Sequence, residues 1–279
     1  MSEIIWTESH VIEHWPKRDP ASHKGDHGKA GIIAGSETMP GAAALCAAAA
    51  VQSGAGLTSV NTVRSVIPVV AAYVPESTFY HRDDDLNEFL DGKDAVAAGP
   101  GIGRLSDDVI EDLIANFEGP LVIDADGLYH LNRHEVMIRK RTAPLIITPH
   151  TGEMARILGK DIEYVNANRS KAAGNLAADY GIFVVLKGQN TIVADPDGGL
   201  WINPTGNAGL AKGGSGDVLT GMILAFLGRY KAVQPAVSSA VYMHGYAADC
   251  LVKQGEAIES VTASKVIQSI SASFSNLIN

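Results

Sequence analysis

The chain has 279 residues, 46% of them hydrophobic and 19% charged, with 29 glycines and a formal net charge of -9. That length suits one large α/β unit, and few aromatics beside many small residues favour helices packed closely on a sheet over an all-β sandwich. The acidic balance excludes an extended nucleic-acid or anionic-membrane surface, which needs a basic stripe, but not an anionic ligand held by local donors. In chain order, the apolar run 30–34 predicts a strand, and the Ala-rich segment 42–53, following Pro40-Gly41, a helix. A strand at 57–61 follows, then the short acidic run Asp83 to Asp85, read as a solvated helix start. The run 95–98 predicts the next strand, and Ser106, with acids in the first turn behind it, the N-cap of a helix. Strands at 121–124 and 145–148, a helix over 168–180 and a strand at 183–186 continue the alternation. The runs 191–194 and 200–203 flank the turn cluster Asp195-Pro-Asp-Gly-Gly199 and predict a hairpin. A helix follows Asp217, another spans 233–253, and Val266, Ile270 and Phe274 at i+4 spacing predict a terminal helix packed on one face.

Continuously apolar strands are expected where helices cover both faces of a mainly parallel sheet, so the fold class is a three-layer α/β/α. No linker, charge block or repeat divides the chain, which reads as a single domain over 1–279. Cys46 and Cys250 lie in helix-like, Ala-containing stretches and read as buried free thiols. The N-terminus shows no basic flank leading into an apolar run, and the most apolar segments are too short to cross a bilayer. A cytoplasmic enzyme with no membrane or nucleic-acid partner is expected.

Ligands of open parallel sheets sit beyond the carboxyl ends of the strands, so the segments after each strand carry the functional reading. In Gly213-Gly-Ser-Gly-Asp217 the glycines admit backbone amides close to an anion, and a helix starting there aims its dipole at it. A carboxylate at that point repels phosphate but suits a base acting on a hydroxyl that attacks phosphorus. The bland alternative makes Asp217 a helix N-cap; the lead-in Asn203-Pro-Thr-Gly-Asn207 and Lys212 argue for chemistry. The order G-x-x-x-x-G-K-[ST] of a P-loop is absent. Lys187, followed by Gly188, Gln189, Asn190 and Thr191, leaves a strand into a turn placed to meet a nucleotide phosphate, or is a plain hairpin turn with a surface lysine. After the strand at 145–148, His150 is placed to bond a substrate and Glu153 to hold water on a magnesium ion; equally, Thr151 would cap the next helix with Glu153 in its first turn. Two glycine turns, 35–42 and Gly99-Pro-Gly-Ile-Gly103, and the pair Asp124 and Asp126 complete the set; the acids are placed near the metal, or Asp126-Gly127 is only a turn.

Together these motifs resemble the ribokinase-like superfamily, and more closely the NAD(P)H-hydrate dehydratases, which are ADP-dependent in bacteria. The likeness runs from Ser22-His-Lys-Gly-Asp-His-Gly-Lys29 through Met39-Pro-Gly-Ala-Ala43 and Gly99 to Gly103 to the stretch 203–217. It implies reaction of (6S)-NADHX or (6S)-NADPHX with ADP (ATP possible) and Mg²⁺, giving NADH or NADPH, AMP and phosphate. It also implies that Ala42, Ala43, Gly103, His150 and Asp217 contact the hydrated dinucleotide. Residues 187–191 and Gly216 would hold the adenine nucleotide, and Asp217, with the Gly214 and Gly216 amides, would do the chemistry. A homotetramer and a separate NAD(P)HX epimerase are further implications. The competing readings are a thiazole or pyrimidine alcohol kinase of the same superfamily, and a nucleotide sensor without chemistry.

Overall fold

The computed structural model describes residues 2–104, 107–129 and 131–278; the expected cap Ser106 lies outside them. Among the described residues ten strands form one sheet: β1 (Glu3–Ile5), β2 (Lys29–Ile33), β3 (Leu57–Thr62), β4 (Thr78–His81), β5 (Ala95–Ala98), β6 (Leu121–Ile123), β7 (Leu145–Ile147), β8 (Phe183–Leu186), β9 (Ile192–Ala194) and β10 (Leu200–Ile202). Their order is β1-β10-β9-β8-β7-β6-β5-β2-β3-β4, and every neighbouring pair is parallel except the two made by β9. The helices are α1 (Glu8–His14), α2 (Pro40–Gln52), α3 (Ile67–Tyr73), α4 (Leu86–Leu90), α5 (Asp107–Asn116), α6 (Glu135–Lys140), α7 (Thr151–Leu158), α8 (Ile162–Ala167), α9 (Arg169–Tyr180), α10 (Ser215–Leu227), α11 (Val233–Lys253) and α12 (Ala263–Ile278). None of them is long and apolar enough to cross a membrane.

The period of two along each strand divides the apolar residues between two cores. Ile32, Ala97, Val122, Ile146, Val185 and Val193 face one core with α2, α10, α11 and α12. Ile33, Ala98, Ile123, Ile147, Leu186 and Ala194 face the other with α5, α7 and α9. The helices on both faces and the parallel sheet agree with the expected three layers. The predicted hairpin is present as β9 and β10. Strands β1 and β4, which the sequence pattern does not mark, lie at the two edges. They are short, and none of their residues is fully buried, so neither carries the continuous apolar run that announces a central strand.

The order in which strands are laid down changes direction between the parallel neighbours β2 and β5, which are adjacent although two strands separate them in sequence. The turns leaving these strands flank the crevice where such sheets bind ligands, and Gly35 donates its amide to the Pro100 carbonyl at 2.8 Å across it.

Helices α2 and α10 pack without side chains between them at one point. A Cβ on Gly221 would overlap the Cys46 carbonyl and crowd Ala49. Seven of the residues of α2 are buried, six of them alanine, which lets the backbones meet. Gly221→Ala raises helix propensity, yet overpacking outweighs that gain. We expect a loss of about 1–3 kcal/mol in urea unfolding.

Candidate active site

The N-terminus of α10 is the centre of the site. Gly214 is its N-cap, with φ +87°, a left-handed conformation that glycine takes without strain. A Cβ there would also collide with Leu45 and press on Ala263. No side chain caps the helix; the Ser215 amide donates to the Lys212 carbonyl at 3.4 Å, which leaves the Gly216 and Asp217 amides for an external acceptor. Asp217 is therefore not the N-cap but the third residue of the helix, and no hydrogen bond among the described residues engages its carboxylate. Burial, and next the negative charge of Asp124, push its pKa up from 3.8 to about 6, although Lys187 opposes them.

Beneath this turn lies a buried ion pair. Lys187 Nζ is 2.7 Å from Asp124 Oδ1, with the Asp124 side chain 1% exposed. The second carboxylate oxygen accepts from Thr220 Oγ1 at 2.8 Å. A Cβ on Gly216 would lie against both Lys187 Nζ and Asp124 Oδ2, so the first turn of α10 rests directly on the pair. Burial alone would lower the Lys187 pKa; the carboxylates of Asp124, Glu153 and Asp217 outweigh it and hold the ammonium above its ordinary value. The turn from Lys187 to Thr191 is held from behind. Arg169 donates to the Leu186 and Lys187 carbonyls at 3.0 and 3.3 Å, the Lys187 amide donates to Pro149, and Thr191 Oγ1 donates to the Gly188 carbonyl at 2.9 Å.

His150, not Thr151, caps α7. Its Nδ1 accepts from the Gly152 and Glu153 amides, and Glu153 Oε2 accepts from the His150 amide at 2.8 Å. Imidazole reaches the same first-turn amides that a threonine hydroxyl would satisfy one residue on, so the cap shifts by one position. The His150 ring is left exposed to the cleft. Burial, chiefly, raises the Glu153 pKa, against the pull of Lys187.

The opposite wall is the segment 203–212, clamped to α11. Asn203 Nδ2 donates to the Val241 carbonyl at 3.5 Å and Thr205 Oγ1 to the Tyr242 carbonyl at 2.7 Å. Asp249 accepts from the Gly206 amide at 2.8 Å and from Asn207 Nδ2 at 2.9 Å. Lys212 Nζ donates to the Glu259 carbonyl. Asp249→Ala removes two of these bonds, each worth about 1 kcal/mol. The variant is expected to lose about 2 kcal/mol of stability in urea unfolding.

These groups converge on a cleft of about 860 Å³ lined by His150, Glu153, residues 187–191, Ser215, Gly216 and Asp217, with Asp124 at its floor. Gly214 stands just behind it as the helix cap. The remaining expected residues lie at the neighbouring switch-point crevice. Ala42 and Ala43 are in the first turn of α2, Ala43 with no exposed surface, and a Cβ on Gly101 would touch Ala42. The Gly103 amide donates to Asp126 Oδ2 at 3.0 Å. Asp126 thus braces the glycine turn, and Asp124 pairs with Lys187 and Thr220. Arg82 braces the other turn, donating to the Ala34 and Gly35 carbonyls at 3.2 and 3.5 Å. Thr220, Arg169, Asp249 and Arg82 escaped the sequence reading; only Thr220, one turn after Asp217 on the same helix, left a periodic signal.

A parallel sheet whose glycine-capped helix presents a free carboxylate beside a lysine at the strand ends defines the ribokinase-like class. A ribokinase-like superfamily protein from Enterococcus faecalis matches this chain with TM-score 0.85 at 26% identity, over 99% of this chain and 96% of its own. Within that class the family model for NAD(P)H-hydrate dehydratase matches residues 30–271, and the chain belongs to that family. The ADP-dependent (S)-NAD(P)H-hydrate dehydratase of Bacillus subtilis is 40% identical over 256 residues, covering 89% of this chain and 90% of the relative. A crystal structure of the Bacillus subtilis ADP/ATP-dependent NAD(P)H-hydrate dehydratase, co-crystallised with ATP and Mg²⁺, matches with TM-score 0.89 at 35% identity, covering 98% of both chains. The chain spans about half the length of bifunctional relatives, such as the NAD(P)H-hydrate repair enzyme of Thermofilum pendens, of which it covers 48% at 39% identity.

Proposed function

We propose that this protein dehydrates (6S)-NADHX and (6S)-NADPHX with ADP, releasing NADH or NADPH, AMP and phosphate. The observation that carries the reading is the Asp217 carboxylate, unbonded, raised to about 6 and set at the start of a helix whose amides are open. A carboxylate with that pKa is ionised at neutral pH yet basic enough to take a proton. It accepts the proton of the C6 hydroxyl as that oxygen forms a bond to the terminal phosphorus of ADP, while the bond from phosphorus to the bridging oxygen breaks and AMP leaves. The Gly214 to Gly216 segment receives the charge that builds on the phosphoryl oxygens. Phosphate is a better leaving group than hydroxide, so loss of phosphate from C6 with a proton from C5 restores the dihydropyridine. His150 and the turns carrying Ala42, Ala43 and Gly103 border the proposed dinucleotide site; residues 187–191 and Gly216 border the nucleotide.

Among the described residues no cluster of three or more His, Cys, Asp or Glu side chains is set to cage a metal. Magnesium keeps water and phosphate oxygens and takes few protein ligands, so a single carboxylate in the cleft wall suits it. Glu153, half-buried in the cleft wall with its Oε1 unused by the helix cap, would hold it through water. When bound, magnesium supplies charge neutralisation on the phosphates. We further assign ADP as the donor in preference to ATP, a homotetrameric assembly, a cytoplasmic setting and a separate epimerase that supplies the S hydrate.

The test is to add ADP to enzymatically prepared NADHX and follow near-ultraviolet absorbance. Recovery of reduced nicotinamide with one AMP per turnover is expected. A stable phosphate ester on some other alcohol, with no recovery, would instead make this a small-molecule kinase.

A further inference from the structure

His244 lies on α11, 7% exposed, and lines the cleft with Ser215, Asp217 and Lys187. Its Nε2 is buried and has no hydrogen-bond partner among the described residues. Burial, and then the positive charge of Lys187, push its pKa down to about 4, against a backbone hydrogen bond at Ser215 that favours the charged ring. The ring is therefore neutral under working conditions, with one N–H and one bare nitrogen. In the tautomer that keeps the proton on Nδ1, the partnerless Nε2 is a bare acceptor.

An acceptor buried without a donor is costly, and a cost of this kind in a binding cleft is offset when the ligand brings the donor. Phosphate oxygens bring none at neutral pH, and they already have the α10 amides and Lys187. The complementary ligand atoms are hydroxyl and amine groups, which a nucleotide carries on its sugar, its base and its carboxamide. We infer that His244 Nε2 accepts a hydrogen bond from such a sugar, base or carboxamide donor of a nucleotide bound in the cleft. This inference rests on the proposed reaction, which places two nucleotides, ADP and the dinucleotide, at this site.

Binding of ADP and of NADH to wild-type protein, His244→Leu and His244→Gln, measured by calorimetry, tests it. Leucine fills the volume and removes the acceptor; glutamine restores one. His244→Leu is expected to raise the Kd of one of the two ligands about tenfold, with His244→Gln recovering most of the loss; the ligand affected identifies the donor. Unchanged Kd values for both ligands in His244→Leu would overturn the inference. A second readout needs no variant: the ¹⁵N resonance of His244 Nε2 should move from its bare-acceptor position when the wild-type protein is saturated with that ligand. A resonance that stays put with both ligands overturns the assignment as well. Failure of wild-type protein to bind either nucleotide would sink the proposed function itself, a result distinct from normal binding in the leucine variant.

Discussion

Asp217→Asn should abolish turnover while making the fold more stable. Loss of a general base costs roughly 1,000-fold in kcat, whereas ADP affinity should hold or improve, because a carboxylate facing phosphate is removed. In wild-type protein kcat/KM should fall as pH drops through about 6, where Asp217 takes up its proton. The residual rate of the variant should lack that limb. A carboxylate raised from 3.8 to about 6 costs the folded state about 3 kcal/mol once it is ionised in both states. Stability from this group is whole below about pH 4 and is lost as pH rises through about 6. Urea unfolding at pH 8 should therefore show the asparagine variant as the more stable, with the gap closing at low pH. Equal turnover in the variant would remove Asp217 from the reaction, and equal stability would remove the burial argument for its pKa.

Lys187→Met is the second large effect, with the opposite sign for stability. It strands the Asp124 carboxylate, which is 1% exposed and keeps only Thr220 as partner. Breaking a buried pair from one side costs about 3–5 kcal/mol. Replacing both partners, as in Lys187→Met with Asp124→Leu, should recover much of that loss, since two apolar groups leave no orphaned charge. Activity should be lost in both variants. Lys187 also holds down the Asp217 pKa, so any residual activity of the single variant should have its acid limb displaced to higher pH. A single variant as stable as wild type would show that the pair is not a structural element.

The layers of the fold were legible because β5, β6, β7 and β8 are apolar on both faces, a pattern that only a covered parallel sheet produces. The edge strands β1 and β4 were not, since half-exposed residues mark no period. The glycine turns and Asp217 stood out through chemistry rather than periodicity: few local needs explain four residues of Gly-Gly-Ser-Gly before an acid. The partners of those residues were hidden for a physical reason. Asp124 meets Lys187 and Thr220 only because β6, β8 and α10 are brought together, and no spacing along the chain encodes that. The cap on α7 sits one residue earlier than the hydroxyl of Thr151 suggests, because the His150 imidazole accepts from the first-turn amides. His244 and Asp249 sit inside a long, regular helix, where a polar residue looks like surface until the loop 203–212 is laid against it.

The register at the sheet edge bears on how the chain reaches this state. Glu3 pairs with Leu200, so β1 must find a partner that lies far along the chain. Closing so long a loop is slow relative to local contacts, whereas β10 pairs with its close neighbour β9. Until that loop closes Ile4 and Ile5, still 43% and 58% exposed in the finished fold, have no sheet to join. A slow late phase that reports on Trp6, the buried residue immediately after β1, is the kinetic signature of that order of events.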